Sequence, residues 1–395
     1  MQSGLANELN RRAPFRNGTA LIPLALILSS CTAFQDFLAP ADDEPAADVV
    51  PLETRPRLEP ISRNYFVLES PQQAIVGEPQ IVFADDEDTF SDLAREYGLG
   101  YDELVAANPG IDPWLPGEGT PVLLPTQYIL PDVAHAGIVL NIANKRLFYF
   151  PKVAEGEPQT VLTYPIGIGR VGWETPLGSS TVVSKARDPQ WYVPASVRQE
   201  HAEQGDPLPS VVPPGPDNPL GTRVLKLGIP GYLIHGTNQP YGVGMRVSHG
   251  CVRLYPENIE HLYDMVDVGE PVAIVNQPYL VAWHDGAVYF EAHVPLEDDD
   301  VHAQQRLADA LGEVENLASE HQVRFSMEQM RASAHEHLGV PVTLTGLQAD
   351  EILARVRVVR NTVVPDPDMP SLAEVRAILD APPDDGAVER TVADE

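Results

Sequence analysis

The sequence predicts an α+β fold that is mainly β with helical additions, on three observations. Residues 136–275 consist of short alternating apolar stretches separated by Gly and Pro, which is typical of strands in a mainly β domain. Residues 80–125 follow the order strand, helix, helix, strand. Residues 303–337 carry helical segments. A chain of 395 residues, at about 150 residues per domain, is long enough for two or three such units.

The composition excludes several classes of protein. Lys and Arg number 26 against 57 Asp and Glu, and the net charge of -31 opposes nucleic acid as a partner because phosphate backbones attract clustered positive charge. The 39 prolines require long irregular connectors, since proline is excluded from helix interiors. Two cysteines allow at most one disulfide, so a scaffold of several bridges is excluded and each thiol needs its own explanation.

Residues 1–30 are predicted to be a signal peptide, because arginines precede the apolar run 20–28. The run ends in Leu28-Ser29-Ser30-Cys31, which resembles a bacterial lipobox. The resemblance implies a lipoprotein that begins at a lipidated Cys31 and is anchored to a membrane in the periplasm, since several acyl chains anchor far better than one. Thr32 in place of Asp favours the outer membrane. Ordinary secretion and an uncleaved anchor remain alternatives.

Residues 31–78 are predicted to be an acidic tether rich in proline. From about residue 35 to 67 the segment is rich in Pro, Ala, Asp and Glu and has no apolar periodicity, which is the composition of a tether. Acidic runs such as 85–88 and 297–300 are interpreted as solvated loops, because no spacing of oxygen ligands with a central Gly indicates a calcium site.

Residues 79–128 are predicted to form a small βααβ module. Its first helix begins at Thr89, with Asp92 in a capping-box position, and ends near Gly98. The elements are a strand at Gln80–Phe83, this helix, a helix at Asp102–Ala107 and a strand at 120–125. The string of residues from Asp88-Thr89-Phe90 to Leu123-Leu124-Pro125 resembles a LysM peptidoglycan-binding domain, which implies that the module grips N-acetylglucosamine units of a glycan. Glu87 replaces the usual Gly, and a LysM-like module that binds no sugar remains an alternative.

Residues 136–276 are predicted to form the central domain and residues 279–395 a C-terminal extension. The predicted central strands are 138–141, 146–150, 160–167, 179–185, 224–227 and 232–235, with one helix at 257–265. The extension is predicted to contain a strand pair around Ala282 and Tyr289, helices at 303–321, 327–337 and 371–379, and an acidic tail from Pro365.

The second cysteine, Cys251, lies in a stretch that indicates nucleophilic chemistry. A thiol attacks a carbonyl carbon as thiolate, so it needs a base nearby, and His249 and His235 are the candidates. Because alternate residues of a strand share a face, an extended segment would put His249 on the face of Cys251, whereas His235 must come from a neighbouring strand. Gly250 allows close approach of substrate, and the amides of Gly250 and Cys251 are candidate donors to an oxyanion.

His235-Gly236 followed by Ser248-His249-Gly250-Cys251 resembles the active site of the L,D-transpeptidases, or YkuD domain. The resemblance implies a mixed-β catalytic domain over residues 136–276. Four further motifs of that domain are similar, namely residues 164–169, 175–178, 188–191 and 217–221.

The resemblance also implies roles for these residues. Cys251 is the nucleophile and His235 the proton acceptor and donor, held in one tautomer by a backbone carbonyl at Gly236 in place of a triad acid. His249 is at most auxiliary, because many relatives replace it.

Three residues around the motif are expected to bind substrate, namely Ser248, Arg246 and Arg253. A planar guanidinium matches a carboxylate with two hydrogen bonds, although structural ion pairs would serve the two arginines equally well. A zinc site from His235, His249 and Cys251 is disfavoured because neither CxxC nor HExxH spacing is present.

The reaction that the resemblance implies releases D-Ala from a tetrapeptide stem of peptidoglycan through a thioester. An amine then takes the acyl group, either on a second stem, which gives a 3-3 cross-link, or on a lysine of an envelope lipoprotein. No metal or other cofactor is expected, since the cysteine supplies covalent catalysis. Two alternatives remain: a peptidoglycan amidase or detaching hydrolase that uses water on the same site, and a wall-binding lipoprotein without catalysis.

Overall fold

The protein has a mixed α+β fold. Its structure is a computed structural model that describes residues 50–61, 64–345 and 356–364, and these contain one large sheet, several small sheets and six α-helices. The predicted signal peptide, Cys31 and the helix at 371–379 lie outside the described residues. Within the described part of the chain, no helix has the length and apolar character needed to cross a membrane.

Nine strands form the central sheet. Two neighbouring pairs are parallel, namely Gly137–Asn141 with Pro271–Val275 and Leu233–His235 with Val252–Arg253, and the other neighbours are antiparallel. In spatial order the strands are β1 (Tyr65–Val67), β8 (Thr160–Pro165), β7 (Arg146–Phe150), β6 (Gly137–Asn141), β17 (Pro271–Val275), β10 (Gly178–Arg187), β13 (Arg223–Leu227), β14 (Leu233–His235) and β16 (Val252–Arg253).

The middle of this sheet is buried on both faces. Alternate residues of a strand point to opposite sides, and in β6 the side chains of Ile138 and Leu140 enter one core while Val139 enters another. The first core also holds Ile259 of a helix that covers the sheet. The second core also holds Phe90 of the N-terminal module, so this module is the layer that covers the second face.

The remaining elements of the first 275 residues are short. They comprise β2 (Ile75–Gly77), β3 (Gln80–Phe83), β4 (Pro121–Leu124), β5 (Gln127–Ile129), β9 (Ile168–Gly169), β11 (Trp191–Tyr192), β12 (Val211–Val212) and β15 (Arg246–Ser248), with helices α1 (Phe90–Glu96), α2 (Tyr101–Ala107), α3 (Ala195–Glu203) and α4 (Pro256–Met265).

The N-terminal module has the predicted order β3, α1, α2, β4. Helix α1 begins where expected because the Thr89 hydroxyl accepts a hydrogen bond from the N–H of Asp92, and the Asp92 carboxylate accepts one from the N–H of Thr89. Asn108 ends α2, and its side-chain amide joins the end of that helix to Leu123 of β4. Side-chain hydrogen bonds therefore fix both ends of the helical pair.

The prediction of an unstructured tether over 31–78 does not hold for residues 64–78. Strand β1 pairs with β8 at one edge of the central sheet, and β2 pairs with β5. Tyr65-Phe66-Val67 is too short to stand out among prolines and acids, yet Phe66 packs against the second core. Tertiary pairing has thus ordered a segment whose composition alone predicts a tether.

The N-terminal module is joined tightly to the central domain. Arg146 of β7 is fully buried and lies 2.7 Å from the carboxylate of Glu103 in α2. The turn before α2 also contacts the loop before β15, where a Cβ on Gly244 would lie only 2.4 Å from the Cα of Gly100. Because two backbones touch there, the module presses directly on the loop that leads to Ser248 and Cys251.

The C-terminal extension forms its own small core, which includes Val288, Phe290 and Val314. Its elements are β18 (Tyr279–His284), β19 (Ala287–Ala292), α5 (Asp300–Glu320), α6 (Met327–Glu336), β20 (Val342–Thr343) and β21 (Arg357–Val359). The strand pair and both described helices agree with the predicted positions. Strand β21 was not predicted, and it pairs in parallel with β3 of the N-terminal module.

Candidate active site

Cys251 lies immediately before β16, beside β14. The parallel register pairs Ile234 with Val252 and His235 with Arg253. Since alternate residues share a face, Cys251, Arg253 and His235 point to the same side of this strand pair. The Cys251 thiol is unbridged and partly exposed, with Sγ 3.7 Å from the carbonyl oxygen of Gly231. The nucleophile candidate therefore lies at the end of the sheet and remains accessible.

His235 is buried, and its orientation is fixed by the backbone of the residue that follows it. Its Nδ1 atom lies 2.6 Å from the carbonyl oxygen of Gly236, the kind of contact that the resemblance implies. A carbonyl can only accept, so Nδ1 carries the proton and Nε2 keeps a lone pair. This tautomer is the one that a general base requires.

The site favours neutral forms of both side chains. Burial raises the pKa of the Cys251 thiol, and a backbone hydrogen bond from Leu233 and the charge of Arg253 oppose this only in part. Burial and, as a second cause, the charge of Arg253 together lower the pKa of His235 to about 3. At neutral pH the resting pair is thus a thiol beside a neutral imidazole, rather than a thiolate beside an imidazolium.

The backbone of Arg253 is hydrogen-bonded, whereas its guanidinium is incompletely paired among the described residues. Its N–H and carbonyl form two hydrogen bonds with Gly167, at 2.9 and 2.8 Å. Its Nε atom is buried without a hydrogen-bond partner among the described residues, and burial lowers the pKa of this side chain. An incompletely paired cation beside the thiol is costly for folding and suits an anionic ligand.

Ser248 does not match its predicted role in substrate binding. It is 1 % exposed, and its hydroxyl donates to the carbonyl of Cys251 at 2.6 Å and accepts from the N–H of Gly250 at 3.2 Å. A hydroxyl has one proton, which this contact uses. Ser248 therefore shapes the loop and does not face a ligand.

Gly250 has the backbone conformation that the motif needs, with φ of +98°. Its N–H, however, already donates to the Ser248 hydroxyl. This contact disfavours the prediction that the Gly250 amide binds an oxyanion, and it directs that role to the amide of Cys251.

His249 lies beside α3, a helix that the sequence did not predict. Its Nε2 atom is 2.9 Å from the carboxylate of Glu200, which also binds Arg170, and the ring of Trp173 meets the imidazole edge-on at 4.9 Å between centroids. Burial lowers the pKa of His249 and Glu200 opposes this. No local pattern indicates Glu200, because it is 49 residues from His249 along the chain.

Arg246, which was also predicted to bind substrate, contacts the backbone of β9. The Nε of Arg246 donates to the carbonyl of Gly169 at 3.2 Å, so part of this guanidinium already binds the backbone. Within the described ranges, no group of three or more His, Cys, Asp or Glu side chains is arranged to hold a metal ion.

Residues 135–274 match the YkuD family, the L,D-transpeptidase catalytic domain. The "Probable L,D-transpeptidase YbiS" of Escherichia coli K12 is 43 % identical over 226 residues, which cover 56 % of this chain and 72 % of that protein. The "Probable L,D-transpeptidase YcfS" of the same organism is 40 % identical over 250 residues, or 61 % and 77 % of the two chains. The solved L,D-transpeptidase from Mycobacterium smegmatis is 22 % identical and covers 40 % of this chain and 63 % of that one, with a TM-score of 0.26, too low to support a conclusion.

The match over residues 135–274 thus defines a catalytic domain of the YkuD class. Similarity extends over most of the length of both Escherichia coli relatives and is not confined to a short motif. The chain belongs to the L,D-transpeptidase family.

Proposed function

We propose that this protein is a peptidoglycan L,D-transpeptidase with Cys251 as nucleophile and His235 as general base and acid. The observation that carries the proposal is the register of β14 and β16, which puts both side chains on one face with the thiol partly exposed. The Nδ1 contact of His235 with Gly236 leaves Nε2 as the basic nitrogen. The names of the related proteins support the same class of reaction.

In the first step, Sγ of Cys251 attacks the carbonyl carbon between the diamino acid and the terminal D-Ala of a tetrapeptide stem. Nε2 of His235 takes the thiol proton. Because burial keeps both groups neutral at rest, proton transfer accompanies the attack. The carbonyl oxygen becomes an oxyanion, and the N–H of Cys251 is the donor next to it. One such donor contributes about 3 kcal/mol to catalysis.

In the second step, the C–N bond breaks and His235 returns its proton to the leaving amine. D-Ala departs and a thioester remains on Cys251. An acceptor amine then attacks the thioester and loses a proton to Nε2, the C–S bond breaks, and Nε2 returns the proton to the sulfur of Cys251. The acceptor is the side chain of a second stem or a lysine of an envelope lipoprotein, of which we favour the lipoprotein.

Arg253 would hold a carboxylate of the donor stem. The guanidinium is incompletely paired and shares a strand face with Cys251. A bound carboxylate would offset the charge that lowers the pKa of His235. Substrate binding would therefore make His235 a stronger base at the moment when the thiol must lose its proton.

Two segments of the sequence indicate where in the cell envelope this activity would take place. The lipobox-like segment ending at Cys31 would anchor the protein by lipid in the periplasm, with the outer membrane favoured. The module at 79–128 would bind a glycan chain, and its contact with the loop at Gly244 would keep that glycan chain near the catalytic domain.

The proposal is tested with purified full-length protein and disaccharide tetrapeptides of defined structure. Mass spectrometry should show D-Ala release, new dimers or amine adducts, and a carbapenem adduct on Cys251. Cys251→Ala should abolish all of these. Trimmed monomers alone would indicate that water is the acceptor, whereas an unmodified Cys251 in folded protein would favour a binding protein without catalysis.

A further inference from the structure

Thr175 belongs to a motif that the proposed mechanism has not used. It lies in the loop between β9 and β10, and it is only 6 % exposed. Its hydroxyl accepts a hydrogen bond from the N–H of Gly169 at 3.1 Å and donates one to the carbonyl of Gly250 at 3.0 Å. The single side chain thus joins β9 to the residue that precedes Cys251.

The second of these bonds fixes the orientation of a peptide group. The carbonyl of Gly250 and the N–H of Cys251 belong to one planar trans peptide, in which the two point in opposite directions. Since the Thr175 hydroxyl holds the carbonyl on one side, the N–H of Cys251 must point to the other. Rotation of this peptide would break the hydrogen bond to Thr175.

The other polar groups of the loop already have partners. The Ser248 hydroxyl binds the N–H of Gly250 and the carbonyl of Cys251. Among the hydrogen bonds of residues 50–61, 64–345 and 356–364, none uses the N–H of Cys251 as donor. Next to the nucleophile, the N–H of Cys251 is therefore available as a donor, in an orientation set by Thr175 and Ser248.

Close packing prevents the loop from compensating for a lost hydroxyl. A Cβ on Gly169 would lie 1.9 Å from the carbonyl oxygen of Trp173, and one on Gly250 would lie 3.4 Å from the same oxygen. The Thr175 loop therefore sits directly against both glycines. Its hydroxyl is buried between two backbone groups and has no access to substrate.

We propose that Thr175 is a positioning residue that aims the N–H of Cys251 at the oxyanion formed during acylation. The inference rests on the proposed function, because it assigns Thr175 to the step in which Cys251 attacks a carbonyl. A donor contributes only when it is oriented toward the developing charge. Thr175 acts through the Gly250–Cys251 peptide and does not touch substrate.

The test compares two reactions of the same sulfur atom in the full chain. A carbapenem acylates Cys251 through an oxyanion, whereas iodoacetamide alkylates it by displacement and forms none. Thr175→Val keeps the shape and removes the hydroxyl, and it should slow acylation about 10- to 100-fold, toward the loss seen when one oxyanion donor is removed. Alkylation should change less than about threefold, and Thr175→Ser should restore acylation.

Thr343 provides a matched control outside the site. Its hydroxyl accepts from the N–H of Thr345 at 3.3 Å and donates to the carbonyl of Thr345 at 2.8 Å, and it is also buried. Thr343→Val should leave both reactions unchanged. If Thr175→Val does not fold, Thr175→Ala removes the same hydroxyl without adding apolar volume.

The outcomes separate the inference from the proposed function. Equal acylation by wild type and Thr175→Val, or a parallel fall of acylation and alkylation, would overturn the role of Thr175 alone. A folded wild type that the carbapenem leaves unmodified at Cys251 would overturn the proposed function and this inference with it.

Discussion

The inner and outer sides of Cys251 each present a histidine, and the two histidines are held in opposite ways. On the inner side, His235 is buried in β14 and bound to a backbone carbonyl. On the outer side, His249 is partly exposed and bound to Glu200 of α3, which also binds Arg170. Sheet pairing fixes the first imidazole, and side-chain charges fix the second.

The different surroundings of the two histidines indicate which of them is suited to proton transfer. Burial keeps His235 neutral, because its pKa is lowered to about 3. On the outer side, the hydrogen bond from Arg170 lowers the pKa of Glu200, so this carboxylate stays ionised and shares its charge with His249. Such an exposed network is weakened by salt and by motion of α3. The inner side is therefore built for chemistry and the outer side for holding α3 against the catalytic loop.

The largest expected effect comes from exchanging the two histidines for glutamine separately. His235→Gln removes the basic nitrogen and should lower the single-turnover rate of acylation by a carbapenem about 10³-fold, within the usual range for a general base. His249→Gln should lower it less than about tenfold. Equal losses in the two variants would show that the two sides do not differ in this way.

An intermediate effect is expected in the pH dependence of stability, and we expect it to be larger on the inner side, where His235 is fully buried. Unfolded His235 has an ordinary pKa near 6.5, whereas burial lowers the folded value to about 3. Between these values the unfolded chain binds the extra proton, so stability falls as pH falls. The expected loss between pH 6.5 and 5 is about 2 kcal/mol, at about 1.4 kcal/mol per unit.

Urea unfolding at the two pH values measures this loss. Because glutamine does not titrate, His235→Gln should lose about 2 kcal/mol less than wild type over the same range. An identical pH dependence in the two proteins would show that folding does not lower the pKa of His235.

The smallest effect is expected from the charge of Glu200. Glu200→Gln keeps the side-chain shape but removes the carboxylate that binds Arg170 and His249, and it should slow acylation less than about fivefold. Because exposed charges are screened, the difference from wild type should shrink in 1 M salt. Glu203→Gln on the same helix, whose carboxylate accepts only from Gln199 among the described hydrogen bonds, is the control and should have no effect. A larger loss that is independent of salt would contradict the picture of an exposed charge network.

Much of the fold could be predicted from local pattern. Strands β6, β7 and β8 have side chains in two cores, one on each face, so they are short continuous apolar runs that the sequence shows directly. Strand β17 was not predicted, although it pairs with β6 and β10 in the middle of the sheet. Helix α3 buries only Val197, so it carries no apolar stripe that would indicate a helix.

The candidate site likewise contains residues that local sequence motifs predict and residues that they do not. Cys251 and His235 lie in short motifs that can be identified from neighbouring residues. Glu200, in contrast, contacts His249 from 49 residues away, and Thr175 contacts Gly250 from 75 residues away. Ser248 was expected at the substrate and instead binds the backbone of its own loop. Contacts of this kind depend on which loops the sheet brings together, and local sequence patterns do not show that.

The parallel pairing of β21 with β3 brings residues 357–359 back to the module that begins the described fold. The hydroxyl of Tyr97 and the side chain of Asp88 add bonds to Arg360 and Asn361 at the same place. Fraying of β21, the last strand of the described residues, would uncover the backbone of β3 and loosen the layer that covers the catalytic sheet. Early and late parts of the chain would then open as one cooperative unit, so local unfolding at one end would be felt at the cysteine.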